Sequence, residues 1–154
     1  MSSNDDLLNV KVSVLRIRDA QGNLISEQSL SNQNIGDVLE KSYNESFSAI
    51  GERREVAVAF AQDAEGNVQA SIRFGEWGKR EVKIGQNVLD LKNEAGGKNN
   101  ISMLAESHTH PFEGNVQIAS GKGLNSAAGI NEYFGYNPRH FIVANDEILE
   151  YQGR

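Results

Sequence analysis

Hydrophobic and polar residues alternate along several stretches of the chain with the period of a strand that has one buried face. Val10–Arg18 carries valine at alternate positions, and a turn separates it from a returning strand that begins at Leu24. Glu55–Ala61 and Val68–Phe74 are rich in valine, isoleucine and phenylalanine and flank a polar, glycine-containing turn. These two stretches predict an antiparallel hairpin.

A second pattern, with apolar residues three and four positions apart, predicts a long helix over residues 35–50. Asn34 is suited to its N-cap and Gly51 to a left-handed C-terminal cap. A shorter helix is predicted over Ser126–Phe134. The apolar stripe of the first helix consists of Ile35, Val38, Leu39, Tyr43, Phe47 and Ile50.

The remaining segments predict further strands and one loop. We expect a short strand at Val82–Ile84, an exposed loop over Asn93–Asn100 and an extended segment at Ile101–Glu106. Phe141–Ala144 and Ile148–Tyr151 predict a closing hairpin. Because most strands come as adjacent hairpins, the pattern predicts an α+β fold. Its sheet is mainly antiparallel, with the long N-terminal-half helix and the shorter C-terminal-half helix packed on it.

Composition narrows the class of protein. A chain of 154 residues is the size of one domain, which we place at 1–154 with residues 1–9 flexible. The chain has no cysteine, which excludes disulfides, thiolate metal sites and cysteine nucleophiles. A net charge of -6 argues against non-specific binding to nucleic acid.

Apolar runs are too short to cross a bilayer, and the first residues lack the pattern of a signal peptide. We therefore expect a soluble domain with no membrane partner. Its compartment is open, either cytoplasmic or reached through delivery by a larger secreted parent protein.

Two of the three histidines, His108 and His110, flank Thr109 just before Pro111. At the end of an extended segment, residues two apart point to the same side of the chain. Two imidazole nitrogens on one side form half of a typical tetrahedral zinc site. The spacing also fits two surface histidines beside a loop.

The sequence His-Thr-His-Pro at 108–111, followed by Ser120 ahead of a predicted helix, resembles the motif of the JAMM/MPN metalloprotease superfamily. That motif is an upstream Glu, then His-x-His-Pro, then Ser-x-x-Asp. The order of helix, hairpin and closing strand matches over about Ile35–Tyr151. The resemblance implies a layered core like that of cytidine deaminases. More narrowly, it is to JAMM-like domains at the C-termini of bacterial polymorphic toxins and effectors.

The resemblance also implies roles for individual residues. His108 and His110 would hold zinc, which activates a water for attack. Glu55 would take the proton of that water and pass it to the leaving amine, and Ser120 would hydrogen-bond the oxyanion. The implied function is a zinc-dependent hydrolase of amide or isopeptide bonds in a protein or peptide. As a toxin or effector domain it would have a cognate immunity or inhibitor protein as a partner.

The chain departs from this motif at Gly123, where the family has a metal-ligating Asp. No aspartate occurs between Asp90 and Asp146, so a small shift in register does not restore one. The candidate replacements for this ligand are Glu113, Asn125 and Glu106.

Three other interpretations use the same residues. His140 is either a third ligand or, paired with His108 or His110, the general acid or base of a metal-independent ribonuclease toxin. In that enzyme Arg139 or Lys122 would stabilise the phosphorane and RNA would be the substrate. Alternatively, the domain is a non-catalytic JAMM-like module that binds a protein.

The simplest alternatives give these residues structural roles only. His140 would be a half-buried strand residue, and Glu55 a solvated charge in a cluster with Arg53 and Arg54.

Overall fold

Seven strands of the described residues form one mixed sheet in the order β2-β1-β4-β3-β5-β6-β7. A computed structural model describes residues 6–112, 121–145 and 147–152. The strands are β1 Val14–Arg18, β2 Leu24–Ser29, β3 Val56–Asp63, β4 Val68–Phe74, β5 Ile101–Thr109, β6 Arg139–Ala144 and β7 Glu147–Tyr151. The helices are α1 Ile35–Glu45, α2 Gln86–Ala95 and α3 Gly121–Phe134.

The predicted fold class is confirmed, since helices accompany a sheet that is mostly antiparallel. The pairs β1–β2, β3–β4, β3–β5 and β6–β7 are antiparallel. The pairs β1–β4 and β5–β6 are parallel. The β1–β4 pair joins the first two predicted hairpins, and β5 joins the second to the third because it lies between β3 and β6.

Helices cover the sheet on both faces. On one face α1 packs through Ile35, Val38 and Leu39 against the main hydrophobic core. On the opposite face, which we call the site face, a smaller core surrounds Ala59, Ala61 and Met103 of β3 and β5. The helical residues in this smaller core are Val88 and Leu91 of α2 and Ile130 of α3. Because both faces are covered, the central strand β3 is buried along most of its length.

The N-cap of α1 is confirmed, but the helix is shorter than predicted. Asn34 accepts a hydrogen bond from the Asp37 backbone, and the Asp37 carboxylate accepts one from the Asn34 backbone, which forms a capping box. The helix ends at Glu45, whose carbonyl accepts a hydrogen bond from Arg54 Nε at 3.0 Å. Gly51 is left-handed but lies in the following loop, beyond the end of the helix.

The predicted stripe of α1 is wrong in its last turn. Phe47 is 38% exposed and Ile50 is fully exposed, because both follow the end of the helix. The predicted order of helix lengths is also wrong. α3 has 14 residues and α1 has 11.

The segment between β4 and β5 differs most from prediction. The predicted strand at Val82–Ile84 is not formed, since these residues have no regular structure and lead into α2. The loop predicted over Asn93–Asn100 instead contains the end of α2 and a 3-10 turn at Lys98–Asn100. Glycines with positive φ, Gly85 and Gly96, bound this helix at its two ends. The two consecutive glycines within Asn93–Asn100 led the sequence pattern to predict a loop there.

The N-terminal region is ordered earlier than the sequence indicated. Leu7–Asn9 form a 3-10 turn, and Leu8 packs into the main core, so the flexible stretch predicted over 1–9 does not include these residues. The first strand begins at Val14 rather than at Val10. No helix in the described part of the chain is long and apolar enough to cross a membrane.

Candidate functional site

The site face carries its polar residues in two neighbouring cross-strand rows. One row runs from Arg73 on β4 through Ala57 on β3 to His108 on β5. The next row places Glu106 on β5 beside His140 on β6. Directly opposite residues of paired strands project to the same face. The pairing therefore gathers residues from distant parts of the chain.

The two histidines of the His-x-His sequence converge. The Nε2 atoms of His108 and His110 lie 3.1 Å apart, and the ring centroids lie 4.9 Å apart. Zinc–nitrogen bonds of about 2.0–2.1 Å place two Nε2 atoms on one ion about 3–3.5 Å apart. The separation in this pair therefore fits two ligands of one metal ion.

His108 is held in the state that a metal ligand requires. It is 2% exposed, and burial lowers its pKa to about 4. The charge of Glu106 opposes that fall, and His110 and His140 add to it. The imidazole is consequently neutral at physiological pH, with a free electron pair on one nitrogen. Its Nδ1 atom is buried with no hydrogen-bond partner among the described residues.

Glu55 lies immediately before β3, at the same end of the site face. The pairing of Val56 with Phe74 continues through a bond of 2.7 Å from Gly75 N to Glu55 O, so the chain remains extended there. Ala57–His108 is the last pair of the β3–β5 ladder, so Glu55 and His110 each lie two residues beyond it, at the same end of the two strands. The structure therefore places the predicted base and the two predicted ligands at one end of the sheet.

The Glu55 side chain is buried, which corrects the interpretation of a solvated charge. It is 8% exposed, and desolvation raises its pKa to about 7. The negative charge of Glu81 adds to this rise, and Arg80 opposes it. A carboxyl group that titrates near neutrality can both take up and release a proton.

The segment between β4 and α2 lies near this end of the sheet. Arg80 lies within electrostatic reach of Glu55, and its guanidinium stands 5.1 Å from the ring of Phe112. Phe112 comes two residues after His110. One residue of the segment thus approaches both the strand start that carries Glu55 and the strand end that carries His110.

The neighbouring Arg54 is also buried, contrary to the predicted solvated cluster. Its guanidinium lies between the rings of Phe74 and Trp77, at 3.6 and 4.0 Å from their centroids. Arg54 Nη2 also approaches the Glu45 carboxylate at 3.3 Å. These contacts fix the chain immediately before Glu55, and they pack the Trp77 ring against the Arg54 guanidinium.

His140 belongs to a network of hydrogen bonds that lies next to His108. Its Nδ1 lies 2.9 Å from Glu106 Oε1, and its Nε2 lies 2.9 Å from Asn131 Oδ1 on α3. Tyr151 donates to the same Glu106 oxygen at 2.7 Å. Burial, and then the charge of Glu106, raise the pKa of this tyrosine. Both ring nitrogens of His140 are engaged, and the side chain is fully buried rather than half-buried as the structural interpretation predicted.

The other predicted residues do not complete a metal site in the described chain. Ser120 and Glu113 lie outside the described residues, and so does the side chain of Lys122. Asn125 is exposed, and Glu106 is held by His140 and Tyr151. Within 6–112, 121–145 and 147–152, no three His, Cys, Asp or Glu side chains are grouped to share a metal ion.

The fit to zinc is therefore that of a histidine pair. His108 and His110 offer two nitrogens with the right separation, and Gly123 has no side chain to offer a third ligand.

Arg139, the candidate phosphorane group, forms a two-pronged ion pair with Glu150 at 2.8 Å for both contacts.

Sequence reasoning missed the residues that surround the pair. Asn131, Tyr151, Arg80 and Glu81 stand in different elements, and no spacing in the sequence links them to the histidines. Asn131 and Tyr151 join it because β6 pairs with β5 and β7 and because α3 lies over β6. Arg80 and Glu81 join it through the segment between β4 and α2. The one available signal was alternation, which places Glu106 on the same side of β5 as His108.

No family model matches this chain, and no curated protein matches it with significance.

Proposed function

We propose that the protein is a zinc-dependent hydrolase of amide bonds in a peptide or protein. The observation that carries the proposal is the convergence of His108 Nε2 and His110 Nε2, 3.1 Å apart, at the end of the sheet where Glu55 is buried. The resemblance to JAMM/MPN metalloproteases supports the same chemistry. The role as a bacterial toxin or effector domain, with an immunity protein as partner, is a prediction from that resemblance.

His108 and His110 would hold the zinc, and when bound the metal supplies a Lewis acid that lowers the pKa of water. Burial keeps His108 uncharged, so it does not repel the metal. Glu55 would accept the proton of the attacking water at its carboxylate and then donate it to the nitrogen of the leaving amine. Its pKa near 7 suits both transfers at neutral pH.

Two features favour this function over a ribonuclease. Both nitrogens of His140 are already engaged in hydrogen bonds, and the side chain is 2% exposed. Arg139 is paired with Glu150 on the neighbouring strand. His140 lies near His108, but both its nitrogens and the Arg139 guanidinium are already engaged by other side chains, which leaves neither group available as an acid or as a phosphorane-stabilising cation. The alternative of a non-catalytic protein-binding module is consistent with Gly123, and it is separated from the hydrolase by the experiment below.

The experiment is a peptide-hydrolysis assay on the purified chain after loading with zinc. Mass spectrometry of a mixed peptide library, together with an isopeptide-linked substrate, reports any new amine. We expect cleavage that EDTA abolishes. Glu55→Gln should lower the rate by 100-fold or more, within the usual range of about 10²–10⁴ for general acid–base groups. It should leave the zinc content unchanged.

A matched control is Glu40→Gln, an exposed glutamate on α1, which should retain the wild-type rate. Turnover that persists in EDTA, or cleavage of RNA instead of peptides, would contradict the proposal. Zinc binding with no turnover on any peptide would also contradict it and would favour the protein-binding module.

A further inference from the structure

A groove of about 830 Å³ lies beside the candidate site. Its walls are the end of β4 with the segment that follows, the β1–β2 turn, and the first half of α3. Two residues of its lining contact or influence Glu55: Gly75 donates to Glu55 O, and the charge of Glu81 raises the pKa of Glu55. The groove therefore lies next to the residue proposed as the base.

The charge of this groove differs from that of the whole molecule. Three cationic side chains and two anionic ones line it, in a chain whose net charge is -6. Glu76 and Lys79 form an ion pair with each other. The lining residues with charge are Arg73, Lys79, Lys83, Glu76 and Glu81. A locally cationic groove on an acidic protein favours an anionic ligand.

Arg73 is the buried cation of this lining. Its side chain is 9% exposed, and its nearest carboxylate oxygen, on Asp90, lies 3.9 Å away. Arg18 approaches the same Asp90 oxygen at 3.7 Å but has a closer partner of its own in Glu94, at 3.0 Å. Arg73 Nη2 donates to the Ala20 carbonyl at 3.3 Å, and Arg73 Nε has no hydrogen-bond partner among the described residues.

Other arginines of the protein are paired more closely. Arg16 Nε lies 2.7 Å from Glu27 and 2.6 Å from Glu94. Arg139 contacts Glu150 at 2.8 Å through two nitrogens. A buried guanidinium normally has such a charge-assisted partner, since burying an unpaired charge is unfavourable. Arg73 lacks one at this distance and faces a groove.

The position of Arg73 relates the groove to the histidine pair. Arg73, Ala57 and His108 occupy one cross-strand row, so the Cα atoms of Arg73 and His108 are two strand spacings apart, about 10 Å. The Arg73 guanidinium lies on the far side, near Ala20 and Gly22. An extended peptide covers about 3.3 Å per residue, so the separation of about 10 Å between the two Cα atoms corresponds to roughly three residues. The outward reach of the Arg73 side chain adds roughly one more.

We propose that the Arg73 groove binds a carboxylate of the peptide substrate, three to four residues from the bond that is cleaved. The inference rests on the proposed function for the position of that bond. Arg73 supplies the planar, two-pronged donor that a carboxylate prefers, and Lys83 adds a second positive charge at the groove. The carboxylate comes either from an aspartate or glutamate side chain or from the C-terminus of the peptide.

The test is a binding titration on the full chain in EDTA with three probe peptides. The first is acetyl-Gly-Ala-Gly-Ala-Gly-Ala-amide. The second has aspartate in place of the last alanine, and the third has a free C-terminal carboxylate. We expect one carboxylate peptide to bind at least about tenfold more tightly than the neutral peptide. It should also shift the NMR signal of the Arg73 Nε–H. The peptide that binds more tightly and shifts this signal identifies the source of the carboxylate.

Arg73→Gln should remove this preference, and Lys83→Gln should reduce it. The matched control is Arg16→Gln on β1, which lines a different cavity and should keep the preference. Equal binding of all three peptides, or an unshifted Arg73 signal in the wild-type chain, would overturn the proposal without any variant. Because the titration uses no metal and no turnover, a failure of zinc binding contradicts the proposed function while leaving this result unaffected.

Discussion

At the scale of single residues, the site combines groups whose charge states are set by burial. Desolvation holds Glu55 protonated to higher pH and holds His108 neutral to lower pH than either side chain would be in water. Both shifts oppose the charged form, which suits the proposed roles of Glu55 as a base that recycles its proton and of His108 as a neutral ligand. Burying these two groups lowers the free energy of unfolding at any pH where they would be charged in water.

The pH dependence of stability should report the burial of Glu55. Its folded-state pKa of about 7 lies above its ordinary value of 4.5, so its contribution is fully present below pH 4.5 and is lost as pH rises through 7. The difference corresponds to about 3 kcal/mol of unfolding free energy. Glu55→Gln removes the titrating group, with Arg80 and Glu81 left in place.

Urea denaturation across pH 4.5–8.5 measures this effect. We expect Glu55→Gln and wild type to have similar stability near pH 4.5, and the variant to be more stable by up to about 3 kcal/mol above pH 8. Glu40→Gln, exposed on α1, should follow the wild-type curve. A Glu55→Gln curve parallel to wild type would show that the carboxyl group is solvated.

Tyr151 offers a second residue-level prediction. Tyr151→Phe removes the hydroxyl that donates to Glu106 Oε1 at 2.7 Å, while Glu106 stays 1% exposed. Loss of a hydrogen bond to a buried carboxyl group should lower the free energy of unfolding by about 1–3 kcal/mol. Tyr133→Phe, at a position 40% exposed, should change it by less than about 0.5 kcal/mol. Equal effects of the two substitutions in urea denaturation would rule out a structural role for the network.

At the scale of elements, α1 shows how far a local pattern reaches. The apolar spacing and Asn34 predicted its start correctly, because a capping box is encoded by residues three apart. The end was not predictable, because Arg54, nine residues later, donates to the Glu45 carbonyl. Such a contact depends on the path of the loop and on the rings of Phe74 and Trp77 that hold the guanidinium.

The capping box of α1 is testable in its own right. Asn34→Ala removes the side-chain oxygen that accepts from Asp37 N at 2.8 Å and should lower the free energy of unfolding by about 1 kcal/mol. Asn34→Ser, which retains an accepting oxygen, should recover most of it. If alanine and serine at this position give the same denaturation midpoint, the cap contributes nothing to stability.

At the scale of the whole molecule, the sequence predicted hairpins but not the order in which they join. Antiparallel neighbours are joined by short turns and are visible in the sequence. The parallel contacts β1–β4 and β5–β6 connect segments far apart in the chain, and hydrophobic pattern alone does not encode such partners. These contacts nevertheless decide the site, because β5–β6 pairing places His140 beside Glu106 and α3 over both.

The candidate site was accordingly predictable in part. The histidine pair follows from alternation along one strand, and its convergence is a local property of that strand. The position of Glu55 required the β3–β5 register, and Arg73 joins the same row through β4. A buried arginine in the middle of a predicted strand carries no sequence signal that separates a structural role from a groove beside the site.

The zinc content of the purified chain, measured by mass spectrometry after zinc loading and removal of excess metal, tests the central claim most directly. We expect about one zinc per wild-type chain, none in the double variant His108→Ala/His110→Ala, and a retained ion in the folded His140→Gln control. A wild-type chain without zinc, or a double variant that binds as much zinc as wild type, would contradict the assignment of His108 and His110 as a metal site.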